Sequence, residues 1–262
     1  MFVRKWQASG DTKGKVIIAH GLGEHSGRYE DLAQFLSRNG FVVYATDNTG
    51  HGLDSAPYGA AKSISEYVER IKMLADMANF EIPDNNLFLF GHSLGGLTSI
   101  RLLEKYPSLF RAAILSSPPL MSYRNELKSL YFILFSLSFI VPFLRFSNRI
   151  DPSEISKDDK TNRFYKMEPS VHDKISVRFF FDMEKQISLS WERVDSINCP
   201  VMLTYGSEDR VVSTEAIEDF YNKLKTEKKI RCFEGSKHEP FRDQDVKEIY
   251  HSEILDFLLS LI

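Results

Sequence analysis

The chain has 262 residues, 43% of them hydrophobic and 26% charged, and is long enough for one large α/β domain with a sizeable core. Its formal net charge of -3 gives no basic excess and excludes the electrostatic footprint of a nucleic-acid-binding protein. Two cysteines, Cys199 and Cys232, are too few for a disulfide framework and have no metal-ligand spacing. No apolar leader follows Met1, so the sequence predicts a cytoplasmic protein.

Strands and helices alternate along residues 1–118. Ser63 or Ser65 is expected to cap the second helix, and Pro107 ends the third. This alternation implies a mainly parallel, doubly wound sheet with helices on both faces, and ligand sites in such sheets lie at the carboxyl ends of the strands. The predicted strands are 2–7, 15–20, 41–46, 87–90 and 111–116, and the predicted helices are 29–36, 63–77 and the segment after Ser93.

The alternation stops between residues 119 and 190, where helical patterns and loops occur but no convincing strand. We therefore interpret residues 1–118 and 191–262 as one α/β core, and residues 119–190 as an insertion within that single domain. The alternation resumes with a strand at 200–205, a helix at 216–224, a strand at 229–233 and a closing amphipathic helix at 246–261.

A Gly-x-Ser-x-Gly turn joins the strand at 87–90 to the helix that follows it. A serine on so tight a turn has a strained backbone, and Gly91 and Gly95 remove side chains that would collide with neighbouring segments. The turn pushes the Ser93 hydroxyl clear of the sheet edge, and the Leu94 amide at the helix N-terminus points to the same space. A glycine-rich turn with an incidental serine is the alternative, but the strand before and the helix after favour a nucleophile.

A serine nucleophile needs a base and an acid, and the ends of two later strands offer both. His238 follows the last predicted strand, whereas other histidines belong to turns, to the insertion or to the final helix. Asp209 follows the strand at 200–205 and would hold the imidazole of His238 in one tautomer, with Glu208 as its rival. The chain order Ser, Asp, His is the one expected for this type of fold.

A second glycine turn follows the strand at 15–20. Its Leu22 amide and the Leu94 amide are predicted to form the donor pair that holds an oxyanion. A phosphate-binding turn is the alternative, but Ser26 stands where Gly-x-Gly-x-x-Gly requires glycine. His238 and the glutamate after it begin like a His-Glu-x-x-His zinc helix, yet Arg242 occupies the place of the second histidine. We therefore predict no metal and no cofactor.

Five segments resemble the α/β-hydrolase superfamily, and more closely its monoacylglycerol lipase and lysophospholipase branch. The resemblance implies a catalytic triad of Ser93, Asp209 and His238, with Leu22 and Leu94 as the oxyanion donors. It also implies an α/β-hydrolase fold in which a helical cap, inserted after the sixth core strand, shapes the acyl pocket. The five segments are 20–29 (HGLGEHSGRY), 47–55 (DNTGHGLDS), 91–96 (GHSLGG), 206–210 (GSEDR) and 235–238 (GSKH).

Two departures from the family pattern are visible in the sequence. Thr49 stands before Gly-His-Gly where the family often has arginine, which affects a local brace rather than the chemistry. The chain also begins almost at the family's second strand. The first hairpin strand is therefore expected to be absent and the sheet shorter by one.

Residues 130–144 form the most apolar stretch of the chain. As a helix it would be roughly 22 Å long against about 30 Å of bilayer hydrocarbon, and Pro142 would interrupt it, so we predict no transmembrane segment. The stretch either packs on the core or lines an acyl tunnel and contacts a lipid interface, and its position over the catalytic edge favours the second interpretation. Glu24, beside the oxyanion turn, is a candidate substrate contact for a glycerol-type headgroup, with a structural hydrogen bond as the alternative.

The sequence therefore predicts a serine hydrolase of small amphiphilic carboxylic esters, with monoacylglycerols as the expected substrate and an acyl-serine intermediate. A lysophospholipase or a general carboxylesterase is the alternative within ester hydrolases. A peptidase or amidase would need a carboxylate in the cap, where Glu154, Glu168 and Glu184 are available. A non-enzymatic ligand-binding protein would keep the fold, and even the triad, with negligible turnover. The sequence does not indicate acyl length or oligomeric state.

Overall fold

Strands and helices alternate along the chain in a computed structural model, which describes residues 1–124 and 129–262. The strands are β1 (Val3–Trp6), β2 (Gly14–Ala19), β3 (Phe41–Thr46), β4 (Leu87–His92), β5 (Ala112–Ser116), β6 (Arg145–Ser147), β7 (Lys174–Ser176), β8 (Val201–Gly206) and β9 (Lys228–Phe233). The helices are α1 (Glu30–Arg38), α2 (Ile64–Glu81), α3 (Leu94–Lys105), α4 (Ser129–Ile140), α5 (Asp159–Met167), α6 (Val177–Glu192), α7 (Thr214–Lys223) and α8 (Lys247–Leu259).

The main sheet has seven strands in the order β1-β3-β2-β4-β5-β8-β9. Strand β1 runs antiparallel to β3 at one edge, and the other pairs are parallel. The prediction of a mainly parallel sheet is therefore confirmed. In the described part of the chain β1 is the edge strand of this sheet.

The sheet is covered by helices on both faces, which is why its central strands are apolar along their whole length. Alternate residues of each strand enter different clusters, because successive side chains point to opposite faces. On β2, for example, Ile17 packs in the cluster formed with α2, α3 and α6, whereas Val16 packs with α1 and α8. This doubly wound arrangement brings the carboxyl ends of β2, β4, β8 and β9 to one edge.

The segment between β5 and β8 contains α4, α5 and α6, and also a small antiparallel sheet of β6 and β7. The prediction that residues 119–190 contain no strand was wrong here. Each of these strands has only three residues, so neither is long enough to show a period of two, and the partner lies far away in the sequence. The segment follows β5, the sixth strand in the family's count; of its residues, 125–128 lie outside the described ranges.

Helix α4 is apolar, yet only one of its sides packs against the rest of the protein. Leu134 is buried and Tyr131 contacts Phe181 of α6, whereas Phe139 and Ile140 are 73% and 75% exposed. Within residues 1–124 and 129–262, we find no helix whose length and apolar content would suffice to cross a bilayer. The apolar stretch is therefore a short surface helix with one packed side and one open side.

Candidate active site

Ser93 occupies the turn between β4 and α3, in the backbone conformation that the motif requires. Its φ of 52° and ψ of -123° lie in the left-handed region that non-glycine residues rarely adopt. A Cβ atom at Gly91 would overlap the Ser99 hydroxyl, and one at Gly95 would overlap the Ala19 carbonyl oxygen. Only glycine fits at these two positions, so the turn can hold its serine at the sheet edge.

His238 and Asp209 meet at the same edge. The Nδ1 atom of His238 lies 2.8 Å from Oδ2 of Asp209, and both side chains are buried. The other carboxylate oxygen, Oδ1, accepts hydrogen bonds from the amides of Val211 (2.9 Å) and Val212 (3.2 Å). With one oxygen held by the loop backbone, the other faces the imidazole in a fixed position.

Burial and pairing act in opposite directions on this pair. Burial alone would lower the pKa of His238, but the carboxylate of Asp209 raises it above the ordinary value of 6.5. Burial alone would likewise raise the pKa of Asp209, and His238 together with hydrogen bonds to the loop lowers it. The pair therefore favours an ionised carboxylate beside an imidazole that readily accepts a proton.

The pair formed by His238 and Asp209 also lies near the turn that carries Ser93. His92, the residue before Ser93, has its ring centroid 4.7 Å from that of His238. The rival carboxylate, Glu208, is exposed, and its amide donates to the carbonyl oxygen of Ser236. The structure thus brings Asp209 rather than Glu208 to the histidine.

Two residues with unpaired backbone amides lie beside Ser93. Leu22 and Leu94 line one cavity with Ser93, and neither amide has a hydrogen-bond acceptor among the described residues. The amides on either side of Leu22 are occupied: Gly21 donates to Glu24 Oε1 (2.5 Å) and Gly23 to His51 Nε2 (3.0 Å). Of the three neighbouring amides of Gly21, Leu22 and Gly23, that of Leu22 is the one without an acceptor in the described part of the chain.

Glu24 is a buried support of the oxyanion turn. Besides the Gly21 amide, its Oε1 accepts a hydrogen bond from the Tyr29 hydroxyl (2.6 Å), and Oε2 accepts one from Arg28 Nε (2.9 Å). Burial opposes ionisation, but the Arg28 charge and further neighbours lower the pKa of Glu24 to about 2. Glu24 is also not part of the cavity lining. These contacts favour the structural interpretation over the predicted headgroup contact.

Arg28 connects the oxyanion turn to two other regions. Its Nη2 donates to Glu239 (2.6 Å), the neighbour of His238, and its Nη1 donates to Glu168 (3.3 Å) at the end of α5. Glu168 also lies 2.6 Å from His25 Nε2. Sequence reasoning missed this network, because its partners come from segments up to 211 residues apart.

Two carboxylates bound by Arg28 form a buried cluster with the nearby His92. The metal-binding atoms of Glu24, His92 and Glu239 lie within 4.8 Å of one another. Both carboxylates are already bound by the guanidinium of Arg28. Burial, aided by the charge of His238, lowers the pKa of His92 to about 3, so its ring is neutral. A cation at this place would have to displace Arg28, and the ion pairs explain the cluster without one.

The loop after β3 is braced from α2. Arg70 donates to the carbonyl oxygen of Asp47 (2.9 Å) and to Oγ1 of Thr49 (2.9 Å). It also pairs with Asp54 at 3.0 Å. An arginine from α2 therefore supports the loop in which Thr49 replaces the family's usual arginine.

The cavity beside Ser93 has a volume of about 330 Å³ and is closed on one side by the inserted segment. The residue of the 130–144 stretch that lines it is Leu130. The expectation that this stretch lines the tunnel was therefore largely wrong, since β6, β7, α6 and the loop at 148–154 supply most of that wall. Apolar lining residues from this wall are Phe146, Ile175, Phe180 and Met183, and charged lining residues are Arg149, Asp151, Glu154 and Arg210.

Comparisons with known proteins place the chain among α/β-hydrolases. A family model described as "Serine aminopeptidase, S33" (Hydrolase_4) matches residues 10–245. A crystal structure of Paleococcus ferrophilus monoacylglycerol lipase superimposes with a TM-score of 0.91 at 33% identity, covering 100% of this chain and 99% of that one. Monoglyceride lipase of Rattus norvegicus is 28% identical over 91% of this chain and 79% of its own length. An uncharacterized abhydrolase domain-containing protein of Dictyostelium discoideum is 27% identical over 99% of this chain but only 28% of its own length.

A mainly parallel sheet with a serine elbow at its edge, matched over nearly its whole length by these proteins, defines an α/β-hydrolase of the lipase and esterase type. Within that superfamily the chain belongs to the Hydrolase_4 family and to its monoacylglycerol lipase-like branch.

Proposed function

We propose that this hydrolase is a serine esterase that cleaves monoacylglycerols into a fatty acid and glycerol. The observation that carries the proposal is one cavity, largely apolar, that is lined by Ser93 and by two residues with open amides, Leu22 and Leu94. The buried His238–Asp209 pair lies beside it. An ester needs a nucleophile, a base and an oxyanion site in one place, and these groups can supply all three.

In the proposed mechanism, His238 accepts the hydroxyl proton of Ser93 while Oγ attacks the ester carbonyl carbon. The amides of Leu22 and Leu94 donate hydrogen bonds to the oxyanion of the tetrahedral intermediate. As the intermediate collapses, the proton passes from His238 to the departing alcohol oxygen, leaving an acyl-serine. Water then repeats the cycle and releases the fatty acid. Asp209 keeps the Nδ1 proton of His238 in place and stabilises the imidazolium.

The inserted segment is proposed to act as the cap that selects the acyl chain. Support comes from its wall of the cavity, in which Phe180 and Met183 of α6 are joined by Phe146 and Ile175 of the small sheet. Aliphatic and aromatic side chains of this kind bind an acyl chain by excluding water from it. The proposal also includes transient contact of the exposed face of α4 with a lipid surface, where monoacylglycerols reside.

Labelling and turnover together test the proposed function. The wild-type protein should react with a fluorophosphonate probe and hydrolyse monoacylglycerols faster than aminoacyl anilides. Ser93→Ala should abolish both labelling and turnover, whereas Ser136→Ala, on the exposed part of α4, should retain both. Substantial esterase activity in Ser93→Ala would overturn the assignment, and a ligand that binds tightly without any acyl-enzyme would favour a non-enzymatic protein.

Charged residues in the cavity lining favour a second candidate substrate, a lysophospholipid. Arg149 and Arg210 have no ion-pair partner among the described residues, and Asp151 and Glu154 line the same cavity. A zwitterionic headgroup could use both signs of charge. A higher kcat/KM for lysophosphatidylcholine than for a monoacylglycerol of the same chain, lost in Arg149→Ala or Arg210→Ala, would favour this candidate.

The amidase alternative needs one carboxylate in the cap, and two of its three candidates already have other partners. Glu184 accepts hydrogen bonds from the Ser122 hydroxyl (2.5 Å) and the Tyr123 amide (2.9 Å), and Glu168 pairs with His25 and Arg28. Of the three, Glu154 lines the cavity. Slow turnover of aminoacyl anilides in the experiment above would count against an amidase.

A further inference from the structure

A second cavity, of about 340 Å³, lies between α2, α3 and α6. It shares no lining residue with the cavity beside Ser93. Along α3, its residues Arg101 to Lys105 lie about 12 Å or more from Ser93, given a rise of about 1.5 Å per residue. This cavity is therefore separate from the catalytic groups.

The charge of this second cavity is strongly positive. Its lining holds four cationic side chains and one carboxylate, Glu104. Lys105 is paired with Glu69 at 2.5 Å, and Arg101 is paired with Glu104. The remaining two, Lys185 and Arg193, have no ion-pair partner in the part of the chain that the structure describes. A concave surface with two unpaired cations is suited to an anion.

The carboxylate of Glu104 sets a second requirement for a ligand, a hydrogen-bond donor. Its side chain is only 1% exposed, and while Oε2 accepts a hydrogen bond from Arg101, Oε1 has no partner among the described residues. Burial raises the pKa of Glu104 to about 7, against the charges of Arg101 and Arg193. An unpartnered buried oxygen is costly, so an occupant that donates a hydrogen bond here is favoured.

We infer that this second cavity binds a phosphate group that still carries a proton. Such a group is an anion and a hydrogen-bond donor at once. Its P–OH would donate to Oε1 of Glu104, while its other oxygens would accept from Lys185 and Arg193. Sulfate offers only acceptor oxygens, so it would face the Glu104 carboxylate without a proton to share. Inorganic phosphate and a singly charged phosphate monoester share the required chemistry.

Calorimetry at pH 8 and constant ionic strength tests the inference, because Glu104 is then mostly ionised while hydrogen phosphate keeps its proton. Inorganic phosphate should bind to the wild-type protein at least tenfold more tightly than sulfate. Lys185→Ala and Arg193→Ala should each weaken phosphate binding about tenfold, whereas Lys225→Ala, which removes an exposed cation elsewhere, should not. Equal binding of the two anions, or phosphate binding indifferent to Lys185 and Arg193, would overturn the inference.

The variant Glu104→Gln tests most directly whether the anion must carry a proton. A glutamine amide can donate to sulfate, so the preference for phosphate should fall at least tenfold or reverse. If this variant fails to fold, the two cation variants still decide the question. Glycerol 3-phosphate and inorganic phosphate, compared at pH 6 so that Glu104 is in the same protonation state for both, separate the sources: equal binding extends the site to monoesters, and binding of inorganic phosphate alone confines it to that ion. Ester hydrolysis by Lys185→Ala and Arg193→Ala should stay at the wild-type level. Failure of the anion-binding inference would therefore be distinguishable from failure of the proposed esterase function.

Discussion

The two walls of the cavity beside Ser93 are built in different ways. On the core wall, Ser93, Leu22 and the His238–Asp209 pair are held by the sheet edge, and their polar neighbours have fixed, buried partners. The opposite wall comes from the inserted segment. It is apolar along β6, β7 and α6, carries charged side chains in the loop at 149–154, and continues into α4, whose outer face is open. The difference indicates that the core wall supports the proposed chemistry and the inserted wall supports substrate choice.

The largest effect is expected from a change on the core wall. Asp209→Asn would leave His238 in the wrong tautomer and should lower kcat/KM for a soluble p-nitrophenyl ester by about 10³ to 10⁴-fold. Glu208→Gln, one residue away and exposed, should stay within about twofold of wild type. Equal losses in the two variants would remove Asp209 from its proposed role.

The pH dependence of turnover sharpens the same point. Because the base must be neutral to accept a proton, activity should fall as pH decreases through the His238 pKa, which Asp209 raises above 6.5. In Asp209→Asn, the residual activity should show the same fall with decreasing pH, but at a lower pH, because the pKa of His238 is no longer raised by a carboxylate. For stability the sign is the opposite: the contribution of His238 is complete below pH 6.5 and is lost as pH rises through the raised pKa.

Arg28, which joins the two walls, should have the next largest effect. Arg28→Met leaves Glu24 buried without its ion-pair partner and leaves Glu239 with only Arg242, at 3.6 Å, so the free energy of unfolding in urea should fall by about 3–5 kcal/mol. Glu168→Gln, which changes a half-exposed partner, should cost less than about 1 kcal/mol. A small effect in Arg28→Met would show that the walls are joined by other contacts.

The same network predicts acid sensitivity. The pKa of Glu24 is lowered to about 2, so its stabilising contribution is complete above about pH 4.5 and is lost as pH falls toward 2. Urea unfolding between pH 5 and pH 2 should show this loss in the wild type and a weaker one in Arg28→Met.

A change on the inserted wall should alter selectivity rather than chemistry. Met183→Phe fills part of the proposed acyl-binding cavity, so the ratio of kcat/KM for long-chain over short-chain esters should fall about tenfold. Ile187→Leu, one turn further along α6 and outside the cavity, is the matched control. An equal loss for short and long esters would contradict the division between the walls.

The smallest effect on the isolated protein is expected at the outer face of α4. Phe139→Ser or Ile140→Ser should change the free energy of unfolding by no more than about 0.5 kcal/mol and leave soluble esters unaffected. Turnover of monoacylglycerol in vesicles should fall several-fold. Phe80→Ser removes an 89% exposed aromatic ring from α2 and should change neither rate. A similar loss in Phe80→Ser would mean that α4 has no special contact with lipid.

The sequence was most informative where the pattern is local. Apolar runs and helical spacing predicted the main sheet, and parallel strands end at one edge, so Ser93, Asp209 and His238 could be expected to meet there. The pairing of β6 with β7 and the contacts of Arg28 with Glu168 depend on residues far apart in the chain, which periodicity does not report. For the same reason, the sequence alone does not distinguish a structural role of Glu24 from a substrate contact.

The backbone at Ser93 has a consequence for stability. A serine in this left-handed conformation costs about 1–3 kcal/mol, whereas glycine adopts it freely. Ser93 is thus an instance of a trade-off between folding and function, in which the sequence retains a residue that weakens the fold. A glycine at this position would relieve the backbone strain and stabilise the fold, but it would lack the hydroxyl on which the proposed chemistry depends.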